Sequence, residues 1–190
     1  MENKTYTDQS NMTGFLKLFT GCMYSGKTTK LIEIYNDYKN KGYTPCVINY
    51  FNDTRYHEKL LSTHDKVMIP CTKVKNIYDV FEKDPGILNT TKVFIINEGQ
   101  FFDDLYDIVK LLVEKHHKRV YVCGLDGDFE KKTFGQITQL IPLCDEYEKL
   151  FAKCNGCGEK ASFTKRLTSY TQQTMVGGTD MYIAVCRKCQ

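Results

Sequence analysis

The chain has 190 residues, of which 42% are hydrophobic and 26% charged, and its formal net charge is +3. These values suit one globular domain with a small satellite and exclude a disordered, collagenous or repeat-array protein. No run approaches the roughly 18 apolar residues of a spanning helix, and the polar first residues lack the core of a signal peptide, so we expect a cytoplasmic protein with no membrane partner. The small net charge, without a long basic run, argues against a nucleic-acid partner.

Short apolar runs alternate with stretches of helical periodicity through most of the chain. Residues 1–14 are polar and aperiodic, and we expect a mobile tail there. The predicted strands cover residues 15–19, 46–51, 93–96 and 120–125, and the predicted helices cover residues 30–43 and 105–114. Because strands that alternate with helices indicate βαβ units, we predict an α/β domain with a mostly parallel sheet over residues 15–150.

The first predicted strand runs into a glycine-rich segment. Residues 21–28 (GCMYSGKT) fit GxxxxGK(S/T), in which backbone amides at a helix N-terminus surround phosphate oxygens. Lys27 is placed to reach β- and γ-phosphates, and Thr28 to offer its hydroxyl to Mg²⁺. A plain glycine turn that caps a helix is the alternative, although a position between an apolar strand and an amphipathic helix favours phosphate binding. The predicted phosphate-binding residues are Gly21, Cys22, Met23, Tyr24, Ser25, Gly26, Lys27 and Thr28.

A second candidate site follows the predicted strand over residues 93–96, where the chain reads NEGQFF. A carboxylate at a strand end beside bound phosphates is positioned to accept a proton from a hydroxyl nucleophile, so Glu98 is a candidate general base. A solvated loop glutamate is the alternative. Phosphate-loop enzymes usually place Asp where this chain has Asn97, whose amide keeps one acceptor oxygen but loses the charge.

Two CxxC pairs lie near the end of the chain. Cys154, Cys157, Cys186 and Cys189 together predict a four-sulfur tetrahedral site that is typical of structural zinc. The 28 residues between the pairs exceed the usual ribbon spacing and predict a long loop over residues 161–182. Disulfides or unligated thiols are the alternative. We therefore predict a small zinc-ribbon-like subdomain over residues 151–190.

Several sequence blocks, in this order, make the chain resemble the type II thymidine kinases, the tetrameric zinc-containing class. Over residues 15–189 the blocks are GCMYSGKT, DTRY with THD, NEGQFFDD, GLDGDF with FGQI, FTKR and VGGTDMY. The resemblance implies a P-loop NTPase-like core and a zinc-bound lasso loop. It also implies transfer of the γ-phosphate of ATP to the 5′-hydroxyl of thymidine or deoxyuridine, formation of dTMP in deoxynucleotide salvage, feedback inhibition by dTTP, and a homotetramer.

The resemblance further implies roles for individual residues. Lys27, Arg55 and Glu98 would be catalytic, with Arg55 steadying the transferred phosphate and Glu98 facing the 5′-hydroxyl. Thr28 and Asn97 would face Mg²⁺. The residues implied to bind thymidine are Met23, Asp53, Arg55, Glu98, Phe101, Leu125, Phe129, Thr164, Val176, Gly178 and Tyr182. A surface ion pair is the alternative for Asp53 with Arg55, and plain core packing is the alternative for the apolar positions.

Asn97 departs from the family, which usually has Asp at this position in DEGQF. We expect the neutral amide to weaken Mg²⁺ binding and reduce activity, with Glu98, Asp126 or Asp128 partly substituting for the lost carboxylate. Two other interpretations stay open. One is a catalytically weakened nucleotide-binding protein of the same fold, and the other is a P-loop nucleic-acid protein with a zinc ribbon.

Overall fold

A computed structural model describes residues 13–53, 60–62, 67–175 and 177–190. The strands in this part of the chain are β1 (Phe15–Gly21), β2 (Cys46–Tyr50), β3 (Leu60–Ser62), β4 (Met68–Pro70), β5 (Thr72–Val74), β6 (Val93–Ile96), β7 (Arg119–Gly124), β8 (Glu146–Leu150), β9 (Ala152–Lys153), β10 (Lys160–Ala161), β11 (Phe163–Arg166) and β12 (Tyr182–Val185). The helices are α1 (Lys27–Asn40), α2 (Asp79–Lys83), α3 (Ile87–Thr90) and α4 (Leu105–Lys110), which continues into a π-helical turn, Leu111–Lys115. Two 3₁₀ segments cover Gly99–Phe101 and Ile137–Leu143.

Six strands form one sheet in the order β5-β2-β6-β7-β1-β8. All neighbouring strands in this sheet are parallel, which confirms the predicted α/β fold class. In β6, Phe94 and Ile96 enter the apolar cluster on one face, whereas Val93 and Ile95 enter the cluster on the other. The sequence of such a strand is a continuous apolar run, because helices or loops cover both faces of the sheet.

The predicted elements of the core are confirmed with small shifts of their bounds. The first helix begins at Lys27, three residues before the predicted start, because Gly26 in the left-handed conformation (φ 84°) turns the chain directly into α1. Two strands of the sheet, β5 and β8, were not predicted from the sequence. Both are edge strands, and the polar composition of β8 (EYEKL) hides the apolar pattern on which strand prediction depends.

Residues 151–190, called the cysteine region below, contain two small antiparallel pairs. β9 pairs with β10, and β11 pairs with β12. The expected loop over residues 161–182 is wrong at its start, because β11 occupies its first part. Thr164 and Arg166 are buried while Lys165 between them is exposed, an alternation that indicates a strand with one buried face. Within the ranges that the structure describes, no helix has the length and apolarity needed to cross a membrane.

Candidate active site

The glycine-rich segment forms the turn between β1 and α1. Tyr24 has a φ of 64° and Gly26 a φ of 84°, so the backbone twice adopts the left-handed conformation within three residues. A non-glycine residue in this conformation is uncommon, and strained residues of this kind cluster at functional sites. The turn leaves the N-terminus of α1 at Lys27, so that unpaired backbone N–H groups point toward the space in front of the helix.

Lys27 is buried inside this turn. Its Nζ donates hydrogen bonds to the carbonyl oxygens of Gly21, at 3.0 Å, and Cys22, at 2.7 Å. Ser25 Oγ accepts a third hydrogen bond from the ammonium group at 3.4 Å, and the side chain lies where an anion in front of α1 would be attracted to it. The structure therefore places a cation and a helix N-terminus around one anion-binding space.

Asn97 lies at the end of β6, beside the first turn of α1. Thr28 Oγ1 donates to Asn97 Oδ1 at 3.4 Å, and Cys123 Sγ donates to the same oxygen at 3.1 Å. Burial raises the pKa of Cys123 to about 12, so its thiol stays protonated and can donate. The hydroxyl and amide oxygens of Thr28 and Asn97 are hard neutral ligands that suit Mg²⁺ or its bound water.

Glu98 follows Asn97 in the left-handed conformation, with a φ of 55°. The residue is 9% exposed, and its Oε2 accepts a hydrogen bond of 2.6 Å from Gln100 Nε2. Gln100 is itself held because its Oε1 accepts from the backbone N–H of Leu125 at 3.0 Å. A carboxylate fixed in this way can accept a proton from a hydroxyl group in front of it. Sequence reasoning missed Gln100, although it belongs to the NEGQFF block.

One cavity of about 290 Å³ joins the glycine-rich turn to the predicted nucleoside residues. The turn contributes Met23, Tyr24, Ser25, Gly26, Lys27 and Thr28 to its lining. The other predicted residues that line it are Asp53, Glu98, Phe101, Leu125, Phe129, Thr164 and Tyr182. Its walls include an aromatic pair, in which the rings of Phe101 and Phe134 meet edge to face at 5.4 Å. The cavity thus brings a phosphate-binding turn, a buried carboxylate and an aromatic wall together.

Arg166, which sequence reasoning did not select, holds the loop between β11 and β12 against the cavity. Its guanidinium donates to the carbonyl oxygens of Tyr170, Gln172 and Gln173 at 2.6–3.2 Å. It also donates twice to Tyr182 Oη and stacks on the Phe129 ring at 3.8 Å from its centroid. Because this side chain is buried, its charge is stabilised by carbonyl dipoles and aromatic faces. The FTKR block, which ends in Arg166, was the sequence feature that could have identified this residue.

The four predicted cysteine ligands converge in the cysteine region. Their sulfur atoms all lie within 4.8 Å of one another, although the two pairs are far apart in the chain. All nine cysteines lie in the described ranges, and none of them forms a disulfide. The backbone N–H of Cys186 donates to Cys154 Sγ at 3.2 Å and lowers the pKa of Cys154 to about 6. A closed set of four sulfurs is compatible with structural zinc.

Hydrogen bonds connect the cysteine region to the glycine-rich turn. The backbone N–H of Met23 donates to Thr164 Oγ1 at 3.0 Å. Cys22 Sγ donates to the carbonyl oxygen of Ala161 at 3.5 Å, and Cys22 belongs to the apolar cluster of the cysteine region. The position of the turn therefore depends on β11 as well as on β1.

Some predicted residues do not reach the cavity or lie outside the described residues. Gly178 does not line it; its N–H donates to Asp180 Oδ1 at 3.2 Å, and the neighbouring Gly177 lines the cavity instead. Arg55 and Val176 lie outside the described residues. Of the two aspartates considered as substitutes for a carboxylate at position 97, Asp126 pairs with Lys149. Asp128 accepts three N–H donors, from Glu130, Lys132 and Gln173.

The chain is similar to known proteins of one family. Residues 14–190 match the sequence model of the family described as thymidine kinase. A curated relative from monkeypox virus, "Thymidine kinase", is 40% identical over 176 residues, which cover 93% of this chain and 96% of the relative. The raccoon poxvirus "Thymidine kinase" is 41% identical over 179 residues with the same coverage. "Thymidine kinase a" of Arabidopsis thaliana is 36% identical over 177 residues, or 93% of this chain and 74% of the plant protein.

Proposed function

Because the chain belongs to the thymidine kinase family, we propose that it transfers the γ-phosphate of ATP to the 5′-hydroxyl of thymidine or deoxyuridine and so supplies dTMP by salvage. The observation that carries this proposal is the shared cavity, in which the buried Glu98 carboxylate and the Lys27 turn line one space. A phosphoryl acceptor and donor held in one cavity react as neighbours, which removes much of the entropic barrier.

In this proposal the glycine-rich turn binds the phosphates of ATP. Lys27 and the N-terminus of α1 attract the β- and γ-phosphates, and the backbone N–H groups of the turn donate to their oxygens. Mg²⁺ bound with ATP would neutralise phosphate charge. Thr28 and Asn97 would hold that ion or its water, and Arg55 would steady the transferred phosphate. Such positioning and charge neutralisation provide most of the catalysis in phosphoryl transfer.

Glu98 would accept the proton of the nucleoside 5′-hydroxyl. Its hydrogen bond from Gln100 fixes the orientation of the carboxylate, which lines the cavity. Phe101, Leu125, Phe129 and Tyr182 would contact the base, and Asp53 would contact the sugar. Thr164 of β11 would contact thymine, and the loop between β11 and β12, held by Arg166, would close over it through Val176, with Gly177 taking the position expected of Gly178. A base site with an apolar, aromatic wall would reject purine bases by their size.

The cysteine region would carry zinc as a structural ion. The sulfur cluster supports this assignment, since four thiolates complete the tetrahedral shell and leave no position for a substrate. We further propose a division into a tail (residues 1–14), a kinase domain (residues 15–150) and a zinc-binding lasso subdomain (residues 151–190). A cytoplasmic homotetramer and feedback inhibition by dTTP in the nucleoside site complete the proposal and rest on the family alone.

A second candidate function is nucleotide binding with little turnover. The observation that favours it is Asn97, since a neutral amide holds Mg²⁺ less strongly than the carboxylate it replaces. Asp126 forms an ion pair with Lys149, and Asp128 accepts hydrogen bonds from three N–H donors. These contacts do not support either aspartate as a replacement ligand for Mg²⁺. We therefore propose that Asn97 lowers the activity and raises the Mg²⁺ concentration needed for it.

The test is phosphate transfer from ATP to thymidine by the purified protein, with deoxycytidine as the control nucleoside. Replacing Glu98 by Gln should lower kcat by about 10²–10⁴-fold with little change in KM, because the amide cannot accept the proton. The exposed Glu114→Gln is the matched control and should retain full activity. Wild-type protein that binds ATP and thymidine without turnover would favour the second candidate, and an active Glu98→Gln variant would contradict the role of the carboxylate.

A further inference from the structure

A chain of buried hydrogen bonds runs under the active-site cavity from Thr28 to Asp53. Thr28 Oγ1 donates to Asn97 Oδ1, Asn97 Nδ2 donates to Asn49 Oδ1 at 3.0 Å, and Asn49 Nδ2 donates to Asp53 Oδ2 at 3.1 Å. Every donor in this chain points in the same direction, toward Asp53. Asn49 and Asn97 are 1% and 2% exposed, so water does not compete for their amide groups.

The orientation of the Asn49 amide is fixed from both sides. An ionised carboxylate only accepts hydrogen bonds, so Asp53 requires the NH₂ group of Asn49. On the other side, the backbone N–H of Tyr50 donates to Asn49 Oδ1 at 3.0 Å and requires the oxygen. Rotating this amide by 180° would replace both hydrogen bonds by unfavourable contacts between like groups.

The fixed Asn49 amide determines the orientation of Asn97 in turn. Because Asn49 presents its oxygen, Asn97 must present its NH₂ group to form the hydrogen bond between them. The Asn97 oxygen then faces the opposite side, where Thr28 and Cys123 donate to it. A free asparagine would present its NH₂ group or its oxygen with similar ease, and an NH₂ group facing a metal ion would repel it.

We propose that Asn49 is a positioning residue that transmits the polarity of the Asp53 carboxylate to Asn97 and keeps the Asn97 oxygen directed at Thr28. The proposal rests on the proposed function, in which this oxygen holds Mg²⁺ or its water. It explains how a neutral residue serves at position 97, since the hydrogen-bond chain presents the amide with the polarity that a metal ion requires. Asn49 and Asn97 therefore form a matched pair. Changing either side chain alone removes the hydrogen bond between them.

A metal-binding measurement tests the proposal independently of turnover. The probe is Mn²⁺, titrated into protein saturated with the non-hydrolysable β,γ-methylene analogue of ATP and followed by electron paramagnetic resonance. Asn49→Leu should weaken Mn²⁺ binding by about tenfold, because loss of a residue that orients a metal ligand typically costs that much or more. Affinity for the analogue without metal should stay unchanged. The exposed Asn89→Leu is the control for the substitution and should match wild type.

Two further variants separate the possible failures. If Asn97→Leu weakens Mn²⁺ binding while Asn49→Leu does not, the positioning role of Asn49 is overturned and the metal assignment stands. If neither variant changes Mn²⁺ binding, the metal assignment of the proposed function fails as well. Should Asn49→Leu not fold, Asn49→Ala removes the same amide without adding bulk. It should also weaken Mn²⁺ binding, by severalfold, and an unchanged affinity would overturn the proposal.

A double-mutant cycle without metal provides a second readout. Asn97→Asp places an acceptor opposite Asn49 Oδ1 and adds a second negative charge to a chain that ends in Asp53. This variant should therefore unfold at a lower temperature than wild type in Mg²⁺-free buffer. In an Asn49→Ala background, which lacks the opposing oxygen, the same change should lower the unfolding temperature less. Equal shifts in the two backgrounds would contradict the matched pair.

Discussion

The α/β core and the cysteine region maintain their structures by different means. Among the residues that the structure describes, apolar clusters of 18 and 10 buried side chains cover the two faces of the sheet, whereas the cluster of the cysteine region has five, one of which is Cys22 from the core. Five small side chains cannot supply the burial that stabilises an independent unit. The cysteine region instead depends on its sulfur cluster and on the hydrogen bonds of Arg166. The part of the cavity that would close over the nucleoside, which includes Thr164 and Tyr182, thus belongs to the region with the least apolar support.

Removing the zinc ion proposed for the four sulfurs should have the largest effect, and the loss of protection should be greatest in the cysteine region. Structural zinc contributes about 10–16 kcal/mol to the folding of zinc-finger peptides, far more than five small apolar side chains. After treatment with a strong chelator, hydrogen exchange should accelerate in β11 and β12, while β6 and β7 remain protected. Thymidine binding should be lost. Cys157→Ser should give the same result, and Cys144→Ser, outside the cluster, should not. Continued protection of β12 in metal-free protein would contradict the comparison.

A core substitution should produce the opposite pattern, with a loss of stability and little change in substrate binding. Ile95 is fully buried in the central strand β6. Ile95→Ala should lower the free energy of unfolding by about 2–5 kcal/mol, because it removes buried methyl groups and leaves a cavity, while Ile95→Val should cost about 0.5–1.5 kcal/mol. Denaturant unfolding measures both variants. A thymidine KM that rises in proportion to the lost stability would show that the two regions are not separate.

The same contrast explains how far the sequence predicted the structure. Apolar runs such as VFII predicted the core strands, and the specific spacing of the glycines predicted the turn between β1 and α1. In the cysteine region, CxxC spacing identified the four sulfurs but not β11, because a strand with one buried face and buried polar residues lacks the apolar pattern. Gln100 and Arg166 were missed for a related reason. Their roles depend on partners distant in sequence, Leu125 and Tyr182, and local periodicity carries no information about such contacts.

Truncating Arg166 should weaken nucleoside binding more than it destabilises the core. Arg166→Met leaves three loop carbonyls without their charged donor, and hydrogen bonds to charged groups contribute about 1.5–3 kcal/mol each. The loop can relax into solvent, so we expect the thymidine KM to rise by about 10–100-fold. Arg166→Lys keeps the charge but loses the planar donor fork and should recover little. Arg119→Met, which removes an arginine stacked on Phe15 in the core, should change stability without changing this KM.

The smallest expected effect tests whether the two regions are coupled at the glycine-rich turn. Thr164→Val preserves shape but removes the oxygen that accepts the backbone N–H of Met23. A buried hydrogen bond of this kind contributes about 1 kcal/mol, which corresponds to roughly a fivefold change in binding. The KM for ATP should therefore rise by about fivefold along with the KM for thymidine, because the turn loses its support from β11. Thr164→Ser keeps the hydroxyl and should retain both values. If only the thymidine KM changes, Thr164 acts as a cavity residue alone, and the turn keeps its shape without the cysteine region.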